Sequence, residues 1–463
     1  MAAPGTPTGV KFDGIQAPNL NDVGQVTFGA ILGGAGVTRA NEDGIWSESG
    51  GSLHLVARTG DIAPDSGGKR FDHLFIPSLN NLGETAFSAN FQNASSGDGG
   101  IYVERGGVLE LVARRGTPAA GFPIGATVDV TAAHTLGDDG EVGYAAFVKP
   151  ETGGVTTADA HAVWGSSSGT QRLIARAGES APGMPDNIVF NGFGTPIKAG
   201  NLLMFAASLR TDAGNPLDVL GLWIEKNGIL EMAGLVPESI PGTNEETIFF
   251  GFNELRVNRS GQLSFSGRLT APSPAPQEGN AIYSDVGGAF EMIAREGDHA
   301  PGTPSGTRFR DLAQTRYGFS DSGQIAFLAG LVGGDVNPWL GRDIPPEFVN
   351  DHGIWGQDRS GKLRLIVRAG DFIDVDGGPA TDLRRISALG FVGQYGIGVS
   401  GYEGLNSLGQ LAFSATFTDG SSGVFISDML AVPEPTALLI AYMATAVLFG
   451  CRIRFRKSEL KSW

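Results

Sequence analysis

The stretch LNDVGQVTF, from Leu20 to Phe28, decides the fold because it recurs along the chain. The Asn or Asp of this turn tolerates a left-handed backbone and can hydrogen-bond its own turn, and the Gly two or three residues on supplies a positive φ at little steric cost. The alternation of polar and apolar residues in QVTF predicts a half-buried strand. Seven copies occur, the fourth of them degenerate: Leu20–Phe28, Leu79–Phe87, Leu136–Tyr144, Ile197–Phe205, Val257–Phe265, Phe319–Phe327 and Leu405–Phe413.

Three other segments recur with this junction. A short Gly-Ile-Trp-like strand occurs seven times, first at Gly44 and last at Gly423. An LVARxGD-like strand, as in Leu53–Asp61, follows it six times. A turn resembling Ala-Pro-Gly-Thr then leads into an extended segment before the next junction. The repeated unit of about 56 to 72 residues therefore contains four strands.

Seven units of four strands, without a convincing helical period, predict an all-β fold. We expect residues 1–430 to form a seven-bladed β-propeller of four-stranded antiparallel blades, in which closure of the ring protects the strand edges. A solenoid or several separate sandwiches are the structural alternatives. The 71 Gly and 25 Pro suit many short strands joined by tight turns.

The strand counts are unequal, because the LVARxGD-like strand has one copy fewer than the others. Ala3–Thr6 matches the turn that elsewhere follows that strand. We therefore expect the first repeat to be N-terminally incomplete. The natural reading frame is expected to begin upstream of Met1, with one more strand and an export signal.

Charge and cysteine content exclude several classes of protein. The net charge is −16, and the last twelve residues carry +4, so the rest of the chain carries −20. A body this acidic lacks the basic footprint of a nucleic-acid-binding protein. Cys451 is the single cysteine, so the body can hold no disulfide. The six histidines show no metal-binding spacing, and we predict neither a metal nor a cofactor.

The C-terminal sequence predicts a linker, a helix and a basic tail. Residues 431–436 are Pro-rich, 437–451 are uncharged, and 452–463 form the basic tail. Fifteen residues are fewer than the roughly 20 of a full span, so the run fits a buried helix or a short transmembrane helix. The cationic cluster favours the membrane, with the tail in the cytoplasm and the body outside. Its residues are Arg452, Arg454, Arg456 and Lys457.

This three-part pattern resembles the PEP-CTERM sorting signal of exopolysaccharide-producing bacteria. Val432, Pro433, Glu434 and Pro435 are followed by the apolar run and the Arg-rich end, so the resemblance covers residues 431–457. It implies Sec export, temporary membrane anchoring, processing by a membrane-embedded exosortase and delivery to the cell surface or extracellular matrix. In that scheme Pro433, Glu434 and Pro435 are recognition residues. The family usually has a signal peptide, which Met1–Leu20 does not resemble.

The most regular charged pair of the body is the Arg and acid of R-x-G-D/E. A ring of such arginines could bind anionic sugars through bidentate contacts. Alternatively, each Arg braces its own turn, and repetition in nearly every unit favours this structural interpretation. The pairs are Arg58 with Asp61, Arg176 with Glu179, Arg295 with Asp298, and Arg368 with Asp371.

Two insertions interrupt the regular units and carry the candidate ligand-binding residues. Gly333–Asn350 contains Trp339 and Arg342, and Arg384–Gly404 contains Tyr395 and Tyr402. Aromatic residues on loops of a rigid scaffold can stack on sugar rings, whereas the alternative is longer loops without a ligand.

No residue stands out as catalytic, because the charged residues repeat symmetrically. We predict an exported binding or scaffold module with a polysaccharide as a possible partner. The alternative is a secreted glycosidase or polysaccharide lyase acting at the central face of the propeller.

Overall fold

The computed structural model shows an all-β, seven-bladed β-propeller with four-stranded antiparallel blades, which confirms the predicted fold. It describes residues 2–93, 98–236, 248–270, 279–312, 317–337, 349–375, 382–391 and 404–431. The chain forms two compact units. The first takes in the described part of Met1–Phe249 with Arg256–Leu263. The second takes in Phe250–Leu255 and the described parts of Ser264–Gln394 and Glu403–Trp463.

Blades 1 to 4 share one strand order, here named A to D along the chain. The A strand is often interrupted, and both of its pieces then pair with the B strand. A 3-10 helix at Ser49–Gly51 joins β4 to β5. Blade 1 is β1 (Val10–Ile15), β2 (Asn19–Leu20), β3 (Val26–Gly34), β4 (Asp43–Ser47) and β5 (His54–Arg58); blade 2 is β6 (Phe71–Leu74), β7 (Ser78–Leu79), β8 (Thr85–Phe91), β9 (Gly99–Arg105) and β10 (Val108–Arg114); blade 3 is β11 (Val128–Leu136), β12 (Val142–Val148), β13 (His161–Ser167) and β14 (Thr170–Arg176); blade 4 is β15 (Ile188–Phe193), β16 (Ile197–Ala199), β17 (Leu202–Thr211), β18 (Pro216–Lys226) and β19 (Ile229–Val236).

Blades 5 and 6 repeat this order, and blade 7 departs from it. Blade 5 is β20 (Ile248–Val257), β21 (Leu263–Thr270), β22 (Gly279–Ser284) and β23 (Glu291–Arg295); blade 6 is β24 (Arg308–Arg310), β25 (Tyr317–Phe319), β26 (Ile325–Val332), β27 (His352–Gln357) and β28 (Leu363–Arg368); blade 7 is β29 (Phe372–Asp374), β30 (Leu383–Gly390), β31 (Leu411–Phe417) and β32 (Ser422–Ser427).

The strands of one sheet do not coincide with one sequence repeat, because a sheet begins and ends at other points of the repeat. In blades 1 to 6, the A and B strands come from the extended segment and the junction, and the C and D strands come from the Gly-Ile-Trp and LVARxGD segments that follow. Blade 1 therefore has all four strands between Val10 and Arg58. In blade 7, β29 pairs with β30, and β32 occupies the C position. Ala2 bridges to Lys11 as Ile62 bridges to Arg70, so Ala3–Thr6 forms the predicted turn.

The two aromatic motifs of each unit are cross-strand partners. The last residue of the junction, on the B strand, lies directly opposite the last residue of the Gly-Ile-Trp motif on the C strand. Such pairs add about 0.5–1.5 kcal/mol beyond the area that they bury. The ring centroids are 5.1–6.4 Å apart in the seven stacked pairs: Phe28–Trp46, Phe87–Tyr102, Tyr144–Trp164, Phe205–Trp223, Phe265–Tyr283, Phe327–Trp355 and Phe413–Phe425.

Glycine opens the Gly-Ile-Trp motif because the indole folds back over it. A Cβ atom on Gly44 would lie 2.5 Å from Cη2 of Trp46, so that any larger side chain would displace the ring. The same geometry recurs at Gly353 and Trp355. At these two positions packing explains the glycine without a ligand, whereas blades 3 and 5 carry Ala162 and Ala281 there.

The C-strand aromatic also holds the turn that enters its own blade. Its ring N–H or hydroxyl donates to a backbone carbonyl in the Ala-Pro-Gly turn before the A strand. The described residues show this bond at 2.9–3.2 Å in five blades: Trp46 to Pro4, Tyr102 to Pro64, Trp164 to Ala120, Trp223 to Pro182 and Trp355 to Pro301.

The predicted transmembrane helix at 437–451 lies outside the described residues. Within the ranges described above, no helix has the length and apolar character needed to cross a membrane.

Candidate functional site

Asparagine side chains join the junction turns of blades 1, 2 and 3 to one another. In blade 1, the Oδ1 of Asn21 accepts a 2.8 Å hydrogen bond from the Gln25 backbone and so closes its own turn. Its Nδ2 donates to the carbonyl of Asn80, the equivalent residue of blade 2, at 3.0 Å. Asn80 in turn donates to the carbonyl of Gly137 in blade 3 at 2.9 Å. The repeated Asn therefore has a structural role, as its turn chemistry predicts.

The next position of the same turns carries a polar cluster. Asp22 of blade 1 accepts a 3.0 Å hydrogen bond from Nδ2 of Asn81 in blade 2, and its own N–H donates to Oδ1 of Asn81 at 2.7 Å. The N–H of Asn81 donates to Oδ1 of Asp138 in blade 3 at 2.6 Å. Three neighbouring blades thus present two carboxylates with an amide between them.

Arg259, on the junction turn of β20 and β21, completes this cluster. Its Nη2 donates to Oδ2 of Asp138 and lies 3.8 Å from Oδ2 of Asp22. A Cβ on Gly200 would lie 3.1 Å from Cγ of Arg259, so the absence of a side chain in the degenerate turn of blade 4 lets the arginine stem pass. We call Asp22, Asn81, Asp138 and Arg259 the inner-turn cluster.

A buried lysine fixes the turn that carries Asp138. The side chain of Lys198 on β16 is 1% exposed, and its Nζ lies 2.5 Å from Asp139 and 3.0 Å from Glu141. Glu141 also accepts from Arg172 at 3.2 Å, and Arg172 reaches Glu225 at the same distance. Because both ends of the turn are held by ion pairs, the position of Asp138 is set before any ligand arrives.

The inner-turn cluster is accessible and offers both donors and acceptors. The exposed fractions of the Asp22, Asp138 and Arg259 side chains are 25%, 26% and 39%. Two carboxylates against one guanidinium leave a net charge of about −1, so acceptors dominate. Val23 and Leu82, each on one of these turns, are 60% and 64% exposed and add apolar surface beside the polar groups. Across the described ranges, no group of three or more His, Cys, Asp or Glu residues could hold a metal ion.

The arginines of the R-x-G-D/E pairs make local contacts where the structure describes them. Arg58 donates to the carbonyl of Asn41 at 2.8 Å, and Arg176 pairs with Asp159. Arg295 pairs with Asp298 of its own turn at 2.9 Å. These contacts fit the structural interpretation of the motif. Burial raises the pKa of Asp61, the acid of the first pair, although Arg58 and Arg70 oppose the shift.

Arg368 of the fourth such pair instead closes the base of the first insertion. It donates two hydrogen bonds, of 2.9 and 3.0 Å, to the two carboxylate oxygens of Asp335. This bidentate contact holds the pKa of Asp335 below its ordinary value. Asn350, at the far end of the insertion, donates to the carbonyl of Asp335 at 3.1 Å.

The candidate residues predicted from sequence lie outside the described residues. For the two insertions these are Trp339, Arg342, Tyr395 and Tyr402. For the sorting signal and basic tail they are Val432, Pro433, Glu434, Pro435, Arg452, Arg454, Arg456 and Lys457.

Sequence reasoning overlooked the inner-turn cluster because it treated the junction turn as structural throughout. The signal lies in the third position of the nine-residue stretch, which varies while an aromatic residue recurs at the ninth position of every copy. That position is Asp22, Asn81, Asp138, Ala199, Arg259, Asp321 and Ser407 in the seven copies, and Gly200 is the fourth residue of its copy.

Solved structures of similar fold are distant in sequence. The acylaminoacyl peptidase of Pyrococcus horikoshii is 10% identical with a TM-score of 0.47, covering 93% of this chain and 54% of its own. This chain thus spans about half of that peptidase. The β-propeller domain of the Trilobed protease from Pyrococcus furiosus is 10% identical with a TM-score of 0.45, covering 90% and 96%. A polysaccharide lyase of family PL25, an ulvan lyase, is 12% identical with a TM-score of 0.38, covering 95% and 98%.

In sequence, the chain matches a family profile. No curated protein matches this chain. A family profile described as "Family of unknown function (DUF7453)" matches residues 1–116, 93–283 and 274–439, and three successive matches agree with the internal repetition. Because these segments extend over more than half of its length, the chain belongs to the Family of unknown function (DUF7453).

Proposed function

We propose that this protein is an exported polysaccharide-binding module of the cell surface or extracellular matrix, delivered there by an exosortase-type sorting enzyme. The inner-turn cluster is the observation that carries the binding role. The resemblance of residues 431–457 to a PEP-CTERM signal carries the localisation. These two parts of the proposal are independent and are tested separately.

The chemistry of the inner-turn cluster suits a hydroxyl-rich ligand. Asp22 and Asp138 can each accept two hydrogen bonds from sugar hydroxyls, while Asn81 and Arg259 can donate. Val23 and Leu82 offer apolar contact to the C–H groups of a sugar ring. Loop positions on a rigid β-scaffold are common binding sites, and here adjacent blades hold the turns in place.

The binding role is tested with the full chain on a glycan array, in detergent micelles. We expect the double variant Asp22→Asn/Asp138→Asn to lose at least tenfold in affinity for any glycan that the parent protein binds. Asp186→Asn, an exposed carboxylate on a turn of the first unit, serves as the matched control and should bind as the parent does. Equal binding by the double variant and the parent would remove the cluster from the proposal.

The sorting role is tested by fractionating cells that produce the cognate sorting enzyme. In this proposal, residues 437–451 span the membrane until Pro433, Glu434 and Pro435 are recognised. Replacing Glu434 and Pro435 by Ala should leave the protein in the membrane fraction. Glu459→Ala, in the basic tail, is the control and should still be released. Release of both variants alike would contradict the assignment.

A secreted glycosidase or lyase is the second candidate, and two carboxylates in one cluster favour it. Glycosidases use a pair of acids, of which one donates a proton while the other accepts a proton or attacks the sugar. Arg259 forms ion pairs with both carboxylates here. An assay for new reducing ends, run on each glycan that binds, separates the two candidates: release would establish the enzyme.

A further inference from the structure

His134 joins blade 3 to blade 2 from a fully buried position. It lies on β11, its side chain is 0% exposed, and its Nδ1 is 2.8 Å from Oγ of Ser88 on β8. Burial lowers the pKa of His134 to about 4, and a contact with the backbone of Ala86 opposes part of this shift. The imidazole is therefore neutral near pH 7.

His161 joins blade 3 to blade 4 in a comparable way. The backbone N–H of Phe193 on β15 donates to its Nδ1 at 3.2 Å. Its ring stacks on Phe147, with centroids 4.1 Å apart and an interplanar angle of 9°. Burial lowers the pKa of His161 to about 4. Because Nδ1 accepts a backbone hydrogen bond, a proton on that nitrogen would break the contact.

Neither histidine has a carboxylate placed to receive an added charge, as the described contacts show. Asp159, two residues before His161, pairs with Arg176 on the neighbouring strand β14. Arg172, also on β14, pairs with Glu141 and Glu225. Strands β8, β12 and β15 contain no charged residue. The charged residues on the remaining strands that contact β11 are all engaged elsewhere: Glu104 with His54, Arg105 with Glu84, Glu110 with Arg105, Arg114 with backbone carbonyls, and Lys198 with Asp139.

We propose that blade 3 is an acid-responsive element of the propeller, held to blades 2 and 4 by two buried histidines that must be neutral. The unfolded or opened chain takes up protons near pH 6.5, whereas the closed blade does so only near pH 4. Between pH 6.5 and pH 4, the open form therefore binds more protons than the closed form. Stability of the closed blade is therefore complete above pH 6.5 and falls as the pH drops towards 4.

Hydrogen–deuterium exchange of the full chain between pH 7.5 and 4.5 tests this proposal, after correction for the intrinsic rate. Protection of blade 3, over residues 128–176, should fall by up to about tenfold per pH unit for each histidine. Blade 1, over residues 10–58, should keep its protection over the same range. Simultaneous loss in both blades would overturn the proposal without any variant.

Two variants sharpen the test. Gln can accept a hydrogen bond but cannot gain a proton, so His134→Gln/His161→Gln should keep blade 3 protected at pH 5. His299→Gln is the matched control, because His299 lies on an exposed turn and should leave the pH profile unchanged. A double variant that folds and still opens at pH 5 would overturn the proposal. If it does not fold, the contrast between blades 1 and 3 in the parent protein decides the question.

Discussion

Arg259 pairs with Asp138 across the turn of the blade that lies between them. The arginine belongs to blade 5, the aspartate to blade 3, and Gly200 of blade 4 leaves the path open. A degenerate copy of the repeat is thus matched to the one copy that places an arginine at this position. The sequence motifs repeat almost symmetrically, whereas the contacts between their turns differ from blade to blade.

Because Arg259 passes close to Gly200, we expect replacement of Gly200 to lower stability more than replacement of a glycine in open space. Gly200 and Gly106 both have a φ of +57°, but a Cβ on Gly200 meets Arg259 and one on Gly106 meets nothing within 4 Å. Replacing either by Leu carries the same backbone cost, roughly 1 kcal/mol. Gly200→Leu should be less stable than Gly106→Leu by a further 1 kcal/mol or so, because it displaces Arg259 from a partly exposed ion pair. Denaturant unfolding measures the difference, and equal values would show that the arginine does not depend on this path.

Tyr144 tests the effect of burying a hydroxyl that has no hydrogen-bond partner among the described residues. Six units have Phe at its position, and its hydroxyl is buried without a hydrogen bond to a described residue. Burial raises the pKa of this hydroxyl, so it stays protonated and unsatisfied. Tyr144→Phe should leave the free energy of unfolding unchanged or raise it by about 1 kcal/mol.

Tyr102 is the matched control for that prediction, since its hydroxyl donates to the carbonyl of Pro64 at 3.2 Å. Tyr102→Phe should lower the free energy of unfolding by about 1 kcal/mol. The opposite ranking of the two variants would mean that Tyr144 has an acceptor of its own.

Lys198 should contribute far more to stability than an exposed lysine in a comparable pair. Its side chain is 1% exposed between Asp139 and Glu141, whereas Lys69, paired with Asp98, is 35% exposed. Lys198→Met removes the cation from Asp139 and leaves Glu141 with Arg172 alone, and it should cost roughly 3–5 kcal/mol. Lys69→Met should cost about 1 kcal/mol or less. Denaturant midpoints at low and high salt measure both, and a small loss for Lys198→Met would show that water replaces the ammonium.

The architecture could be read from the sequence because its determinants are local and repeated. The aromatic that ends each junction and the one that ends each Gly-Ile-Trp motif recur seven times, and they proved to be register partners. The points along the sequence at which one blade ends and the next begins could not be predicted in this way. A periodic sequence has no marked start, and only the pairing of strands shows that Trp46 belongs with the turn at Pro4.

The inner-turn cluster could not be predicted, because its hydrogen bonds join residues 57 to 121 positions apart. Turn chemistry explained Asn21 and Asn80 but assigned nothing to the residue after each. That Asp22, Asn81 and Asp138 meet follows from the closeness of neighbouring blades. The bond from Arg259 requires, in addition, that Gly200 has no side chain.

The bond between the C-strand aromatic and the entry turn bears on how such a chain could grow by gene duplication. Trp164 holds Ala120, and Leu173 packs on Gly121, so the turn depends on residues downstream of it in the same blade. A duplicated segment that begins at this turn and ends after the D strand would carry all of its own partners. One that begins at the Gly-Ile-Trp strand would contain a turn whose supports lie in the following copy. Insertion of whole blades should therefore be tolerated best at the boundary just before the Ala-Pro-Gly turn.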